Sequence, residues 1–328
     1  MDCKTKFAAF GLAAAATLGL VGCGDSGVPS GLTGDLDIDG SSTVFPITEA
    51  VAEDFRGPNP DMRVTVGVSG TGGGFKRFAA GETDISDASR PIKQKEIDAC
   101  AENDIEFIEI PVAYDGLSIV VNPANTWAQD LTVDELKLIF LEGSTVQNWS
   151  DVRDGWPDTP IKLFIPGTDS GTFDYFKEVV AGKEGSIRSD VTASEDDNVL
   201  VNGIAGDEGA IGFFGCAYYF ENTDKLRAVT INGVGPTPET IENGSYAPFS
   251  RPLFIYVNKA SAEEAHVQAF IEFYLDEGPA LAQEVGYVQL PAPIQTAIRA
   301  RWEARTTGTL FLDAAGEKVT GPLTDIYN

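Results

Sequence analysis

The chain has 328 residues, 43% of them hydrophobic, which is enough for a well-buried core in one large domain or in two lobes of ordinary size. Its formal net charge is −27, which argues against nucleic acid as a partner. With one histidine, His266, and no Cys/His cluster at metal-ligand spacing, the sequence predicts neither a metal site nor a cofactor.

The N-terminal segment has the pattern of an export signal. Lys4 and Lys6 precede the apolar run FAAFGLAAAATLGLVG, which is too short and too close to the N-terminus for a stable membrane span. The run ends in LVGC, which resembles the lipobox of bacterial lipoproteins, where the cysteine is lipidated after cleavage. We therefore predict a signal peptide over 1–22, lipidation of Cys23 and a flexible tether over 23–35. A plain signal peptide cleaved nearby is the alternative.

Strands and helices alternate through the first part of the body. The segments DLDID, MRVTVGVS and TDISDAS have strand patterns, and FPITEAVAEDFRG, GFKRFAAGE and RPIKQKEIDACAEN have helical ones. Pro91 suits the start of the third helix. This alternation predicts α/β layers with a largely parallel sheet, whose polar loops lie at the strand ends where ligands bind.

A second block of the same kind begins at the β-prone run FIEIPVAYDGLSIVVN and includes the strand, loop and helix of IKLFIPGTDSGTFDYFKEVVAG. The runs GAIGFFGCAYYF, LRAVTING and SRPLFIYVNK are predicted strands, and the remainder is mostly helical. We predict two α/β lobes, each a mainly parallel sheet flanked by helices, formed by 36–112 with 257–328 and by 113–256. Cys100 and Cys216 then fall in different lobes, which favours two separate buried thiols over a disulfide.

Three loops rich in glycine and hydroxyl groups stand between a strand and a helix. They are DGSSTVFP (39–46), VSGTGGGF (68–75) and GTDSGTF (167–173). Such junctions offer free backbone N–H groups, the positive end of a helix dipole and short Ser/Thr donors, which together suit a tetrahedral oxyanion. The second loop lacks the Gly-Lys-Ser/Thr ending of a P-loop and the spacing G-x-G-x-x-G, so a nucleotide is not favoured.

Four segments in order, DGSSTVFPITEAVAEDF, GVSGTGGGFKRFAAGETDISDASRPI, AYDGLSIVVN and DSGTFDYF, carry a family resemblance. The chain resembles the substrate-binding lipoprotein of Pst-type ABC phosphate importers, within the type II periplasmic-binding-protein superfamily, over essentially the mature chain. The resemblance implies a two-lobed protein that binds one phosphate in the cleft between its lobes and delivers it to an ABC permease. It implies a lipid-anchored monomer on the periplasmic or outer face of a bacterial membrane, without enzymatic activity.

The resemblance also implies the ligand residues of the three loops. They are Ser42, Thr43 and the N–H of Val44, then Ser69, Thr71 and Gly72, and then Ser170, Gly171 and Thr172. Many members of the family have an arginine where this chain has Pro166, so Arg90 is expected to supply the main cation. Ser89 beside it is a further expected phosphate ligand.

Members with the form Ser-Asp-Ala-Pro have a ligand aspartate where this chain has Ser89. The carboxylate that accepts the phosphate proton is therefore expected to be Asp115 or, as a second choice, Asp87. Asp169 is a further candidate ligand.

Two other functions are compatible with the loops. Sulfate, molybdate or tungstate would use a similar cradle, but would need no carboxylate because they carry no proton at neutral pH. A phosphoesterase is disfavoured, since the chain has no G-x-S-x-G motif and Ser170 has no evident base. The acidity of the chain predicts that an anion associates faster as salt is added.

Overall fold

The computed structural model describes residues 31–168, 170–182, 185–194, 196–313 and 315–327. The predicted signal peptide, Cys23 and Asp169 lie outside the described residues. Residues 32–328 form one compact unit. Among the described residues, no helix is long and apolar enough to cross a membrane.

The strands follow the predicted order closely. Their bounds are β1 Gly34–Gly40, β2 Met62–Val68, β3 Ile85–Ala88, β4 Phe107–Val121, β5 Asp130–Leu131, β6 Lys162–Pro166, β7 Thr192–Ser194, β8 Ala210–Gly215, β9 Arg227–Ala228, β10 Thr230–Ile231 and β11 Ser250–Asn258.

The helices lie between these strands and at the C-terminal end. Their bounds are α1 Phe45–Arg56, α2 Gly70–Ala79, α3 Gln94–Glu102, α4 Val133–Phe140, α5 Gly171–Val180, α6 Asp197–Ala205, α7 Cys216–Glu221, α8 Pro238–Glu242, α9 Ala265–Glu284, α10 Ala292–Glu303 and α11 Leu323–Ile326. Short 3-10 turns form at Trp149–Asp151 and Ser261–Glu263.

The strand β4 joins two groups of strands into one sheet of order β2-β1-β3-β11-β4-β8-β6-β7, with β9 also on β4 and a separate β10-β5 pair. All of β4 is buried, as its continuous apolar run predicts for a strand covered on both faces. Its residues 107–116 pair with β11, and residues 117–121 pair with β8. The lobe boundaries at 112/113 and 256/257 stay a prediction.

The outer strands are parallel, as predicted, but the central ones are not. β1 is parallel to β2 and β3, and β6 is parallel to β7 and β8. In contrast, β11 is antiparallel to β3 and β4, and β4 is antiparallel to β8. The outer strands are connected through helices, which favours parallel pairing, whereas β4 and β11 carry the chain between the two groups of strands.

Two local predictions were wrong in their boundaries. The run GAIGFFGCAYYF is a strand only to Gly215, because Cys216 begins α7 and packs against Gly116 of β4. The third helix begins at Gln94 rather than at Pro91. Lys93 is its N-cap, and the Glu96 side chain accepts from the Lys93 N–H. The expectation of two separate thiols is confirmed, since Cys100 and Cys216 are both free and buried.

The glycine loop of the second motif is the first part of a helix. Helix α2 begins at Gly70, so Thr71–Gly74 form its first turns instead of an open loop. A Cβ on Gly74 would lie 2.6 Å from the Cα of Gly40, at the end of β1. Glycine at this position therefore lets the helix start lie directly against the strand end.

Candidate functional site

A cavity of about 560 Å³ lies where the ends of β1 and β3 and the start of β11 meet the starts of α2 and α3 and one side of α5. Much of its wall is polar, and its residues come from segments that are far apart in the sequence. The lining residues are Ser41, Ser42, Thr43, Gly70, Thr71, Gly72, Phe75, Lys76, Ser89, Arg90, Lys93, Lys95, Glu96, Ala99, Asp174, Tyr175, Glu178 and Arg251.

The first motif forms a tight turn between β1 and α1. The N–H of Ser41 donates to Asp87 O at 3.0 Å, and the N–H of Val44 donates to Ser41 O at 3.2 Å. The hydroxyls of Ser42 and Thr43 line the cavity, so the structure brings both predicted donors to it. Val44 itself is buried, and its N–H is used within the turn.

The second motif contributes the start of α2. Thr71 Oγ1 lies 3.1 Å from Ser89 Oγ and accepts from the Ser89 N–H at 3.1 Å, which fixes two predicted residues beside Gly72 in the wall. Ser69 precedes the helix, and its N–H donates to Gly40 O at 3.1 Å. Ser69 is not part of the cavity wall.

The third motif lies against the first one, but its predicted ligands do not line this cavity. They are Ser170, Gly171 and Thr172. Ser170 is the N-cap of α5, and its Oγ accepts from the Thr172 N–H at 3.2 Å. A Cβ on Gly171 would lie 2.9 Å from Thr43 Cα, so the two motifs are in close contact. Thr172 lines a separate cavity of about 280 Å³, together with Asp115.

Arg90 lines the cavity, but its guanidinium is engaged by a carboxylate. Its two terminal nitrogens donate to the two oxygens of Glu96 at 2.9 and 2.7 Å, and the group lies 5.5 Å from the Phe75 ring centre. Burial would raise the pKa of Glu96, but hydrogen bonds from Arg90 and the Lys93 N–H outweigh it, and the pKa is lowered. Glu96 therefore stays ionised and holds Arg90.

A second arginine, Arg251 of β11, also lines the cavity, and the sequence reasoning did not include it. Its Nε donates to Asp115 Oδ2 at 3.2 Å, and its Nη2 donates to Thr43 Oγ1 at 3.1 Å. Its guanidinium carbon lies 3.7 Å from the Tyr175 ring centre, within the range of a cation–π contact. One signal was present in the sequence, because the tripeptide Ser-Arg-Pro occurs both at 89–91 and at 250–252.

The two aspartates predicted as ligands lie behind the cavity wall rather than in it. Asp115 is 2% exposed; its burial raises its pKa, and Arg251 opposes that rise. Asp87 is fully buried, and in the described part of the chain neither of its carboxyl oxygens has a hydrogen-bond partner of normal geometry. Burial raises the pKa of Asp87 to about 8, the Thr48 hydroxyl lowers it and the charge of Asp39 raises it.

Two carboxylates of α5 line the cavity and were also missed. Asp174 Oδ2 accepts from Ser42 Oγ at 3.2 Å, and Glu178 Oε2 lies 3.6 Å from Arg251 Nη1. They stand one helical turn apart, so both point towards the first motif and β11. Nothing in their local sequence separates them from ordinary solvent-facing residues of an amphipathic helix.

The cavity can therefore hold an anion through neutral and charged donors together. Hydroxyls from two motifs, backbone groups at helix starts and the guanidinium of Arg251 surround it. Within the described ranges, no group of three or more His, Cys, Asp or Glu residues could hold a metal ion.

Comparison with known proteins agrees with this geometry. Residues 27–277 match the PBP superfamily domain. Protein SphX from Synechococcus elongatus is 50% identical over 291 residues, which cover 86% of this chain and 85% of that protein. The phosphate-binding protein PstS from Staphylococcus haemolyticus is 40% identical, with 85% of this chain and 90% of that protein covered.

Solved structures share the fold. One described as a possible phosphate binding protein from Planctomyces limnophilus has a TM-score of 0.81 at 50% identity, covering 84% of this chain and 99% of that one. An ABC-type phosphate transport receptor from Vibrio cholerae has a TM-score of 0.61 at 26% identity, covering 77% and 99%. The chain belongs to the PBP superfamily and, within it, to the family of the SphX and PstS proteins. The predicted two-lobed fold and the family resemblance are thereby confirmed.

Proposed function

We propose that this protein binds inorganic phosphate outside the cytoplasm and delivers it to the permease of an ABC importer. The observation that carries the proposal is the cavity in which Ser42, Thr43, Thr71 and Ser89 surround a space reached by Arg251. Relatives named as phosphate-binding proteins, and a related phosphate transport receptor, support the choice of anion and of partner. The protein acts as a binding protein and not as an enzyme.

The ligand set consists of donors from both sides of the cavity. Ser42, Thr43, Thr71, Gly72 and Ser89 supply hydroxyl and N–H donors. From the other side, the start of α5 lies against Thr43, so it can add its own N–H groups. Six further residues expected from the sequence stay candidate ligands, namely Val44, Ser69, Ser170, Gly171, Thr172 and Asp169.

Arg251 is the better candidate for the main cation. Arg90 directs both terminal nitrogens at Glu96, whereas Arg251 gives one bond to Asp115 and one to the Thr43 hydroxyl of the cavity wall. An arginine presents five N–H donors, so Arg251 keeps donors for an anion while it is held by Asp115. The site then uses one charge-assisted contact among neutral donors.

Asp174 is the carboxylate that selects a protonated anion. It lines the cavity beside Ser42, while Asp115 and Asp87 do not line it. At neutral pH phosphate carries a proton that an ionised carboxylate can accept, whereas sulfate carries none. The site therefore favours phosphate over sulfate, molybdate and tungstate.

The protein is anchored through lipid on Cys23, with residues 24–31 as a tether, and acts as a monomer. The tether predicted to reach residue 35 ends earlier, because Gly34 and Asp35 already pair with β2 as part of β1. The lipobox-like LVGC and the Gly/Ser-rich segment after it support this arrangement.

Calorimetric titration of the delipidated protein with phosphate, arsenate, sulfate and molybdate, each alone, tests the function. We expect saturable binding of phosphate and arsenate at one site and no binding of the other two at the same concentrations. Tighter binding of sulfate or molybdate than of phosphate would mean that the protein's ligand is that other anion. Binding of none of the four would overturn the proposal.

A further inference from the structure

Positive charge is concentrated around the cavity of a strongly acidic protein. The whole chain has 23 lysines and arginines against 50 aspartates and glutamates. The cavity wall reverses this balance, with five cations against three carboxylates. The cations are Lys76, Arg90, Lys93, Lys95 and Arg251, and the carboxylates are Glu96, Asp174 and Glu178.

The arginines and the lysines of this wall differ in their surroundings. Arg90 and Arg251 are held by Glu96 and Asp115, so their charges are largely matched by carboxylates. Lys76 and Lys95 are exposed, and their ammonium groups take part in none of the ion pairs formed within the described part of the chain. Their charge therefore acts on the space in front of the cavity.

The three lysines lie on the side of the cavity formed by α2 and α3, two helices that pack against each other. Lys76 belongs to α2, Lys93 is the residue before α3, and Lys95 lies in the first turn of α3. The starts of these two helices add partial positive charge on the same side. We call Lys76, Lys93 and Lys95 the lysine rim.

We propose that the lysine rim draws the anion into the cavity and sets its association rate, while the donors beneath it set the affinity. The proposal rests on the proposed function, since it concerns the capture of the same anion. It gives a salt dependence opposite to the one expected from the net charge. A field that attracts within a cleft is screened by salt, so association slows as salt is added.

Stopped-flow association of phosphate, followed by intrinsic fluorescence, tests the rim between about 0.01 M and 0.15 M ionic strength, where the Debye length falls from about 30 to 8 Å. We expect the wild-type rate constant to fall with salt. In the double variant Lys76→Gln/Lys95→Gln we expect a rate about tenfold lower at low salt and a weaker salt dependence. Lys318→Gln is the control, because Lys318 is exposed and lies outside the cavity wall.

The dissociation rate separates steering from direct contact. If the lysines only steer the anion, the rate of dissociation stays close to that of the wild type in the double variant. The proposed role of the lysine rim would be overturned if the wild-type association rate rose with salt, or if the double variant and Lys318→Gln had equal association rates. Saturable phosphate binding would stay intact in either case. Equilibrium titration of the wild type is done first, and a protein that does not bind phosphate would overturn both the rim and the function.

Discussion

Arg251 lies directly opposite Asp115 in the antiparallel pair of β11 and β4, and its Nε donates to Asp115 Oδ2 at 3.2 Å. The two side chains are 16% and 3% exposed, so the pair is nearly buried. Asp115 holds Nε, and Nη2 on the same edge of the guanidinium donates to Thr43 in the cavity wall. The pair thus fixes the orientation of the Arg251 guanidinium at the cavity wall.

Replacing Arg251 with alanine should greatly weaken phosphate binding. Loss of a charge-assisted contact in a closed site costs about 2 to 5 kcal/mol, or about 30-fold to several thousand-fold in affinity. Arg90→Ala is the matched variant, and we expect a smaller loss because Glu96 already engages that guanidinium. Calorimetry on both variants decides between the two arginines, and a larger loss in Arg90→Ala would return the role to the residue predicted from sequence.

Replacing Asp174 with asparagine should change the selectivity. The amide adds donors and removes a negative charge next to Ser42, so the affinity for phosphate should fall and the affinity for sulfate should rise. A site built around such a hydrogen bond can reject the anion that lacks it by about 10⁴ to 10⁵. The ratio of phosphate to sulfate affinity is the quantity to measure.

Asp115→Asn is the comparison for Asp174→Asn. This change loosens Arg251, so both anions should bind more weakly and their affinity ratio should stay near that of the wild type. If Asp115→Asn instead raised sulfate affinity and Asp174→Asn left it unchanged, the carboxylate predicted from sequence would be the selective one.

Asp87 should make the stability of the protein fall as the pH rises. Its burial raises its pKa from 3.8 to about 8, so the folded protein keeps this proton over a range in which the unfolded chain has lost it. Unfolding then releases a proton, and the free energy of unfolding from this group falls by about 1.4 kcal/mol per pH unit between those values. Below pH 3.8 and above pH 8 the contribution no longer changes.

Chemical denaturation at several pH values between 4 and 8 measures this effect as the difference between the wild type and Asp87→Asn. Asparagine keeps the shape and cannot titrate, so the wild type should lose stability relative to the variant as the pH rises. A difference that does not change with pH would mean that Asp87 is not a buried neutral acid.

Gly171 should not tolerate alanine. The added Cβ would lie 2.9 Å from the Thr43 backbone, which cannot move aside as a flexible side chain could. Overpacking of this kind costs about 1 to 3 kcal/mol, and we expect a similar loss in phosphate binding energy. Gly235→Ala is the control, because its nearest neighbour would be a methyl group at 3.6 Å. Equal affinities in the two variants would mean that α5 does not need to approach Thr43.

Cys23 should carry lipid in the native protein. Intact-mass measurement of protein from the membrane fraction should show added acyl mass on a chain that begins at Cys23, and Cys23→Ser should release the protein into the soluble fraction. An unmodified Cys23 in the native protein contradicts the prediction.

The sequence by itself determined the order of elements and the motifs that meet at the cavity. Strand periodicity, and runs of glycine and hydroxyl residues before helices, depend on neighbouring residues, so the sequence could indicate the motifs of Ser42, Thr43, Thr71 and Ser89, which line the cavity. Their role as phosphate ligands stays a prediction. The boundaries of α2 and α7 were missed, because packing of Gly74 on Gly40 and of Cys216 on Gly116 overrides local preference.

Only the tertiary structure decided which charges face the anion. Asp115 and Arg251 are 136 residues apart and meet through the register of β4 with β11, which no local pattern specifies. The same is true of Asp174, which reaches Ser42 across 132 residues. Electrostatic interaction depends on distance and burial in space, so a net charge of −27 said nothing about the cations gathered at the cavity.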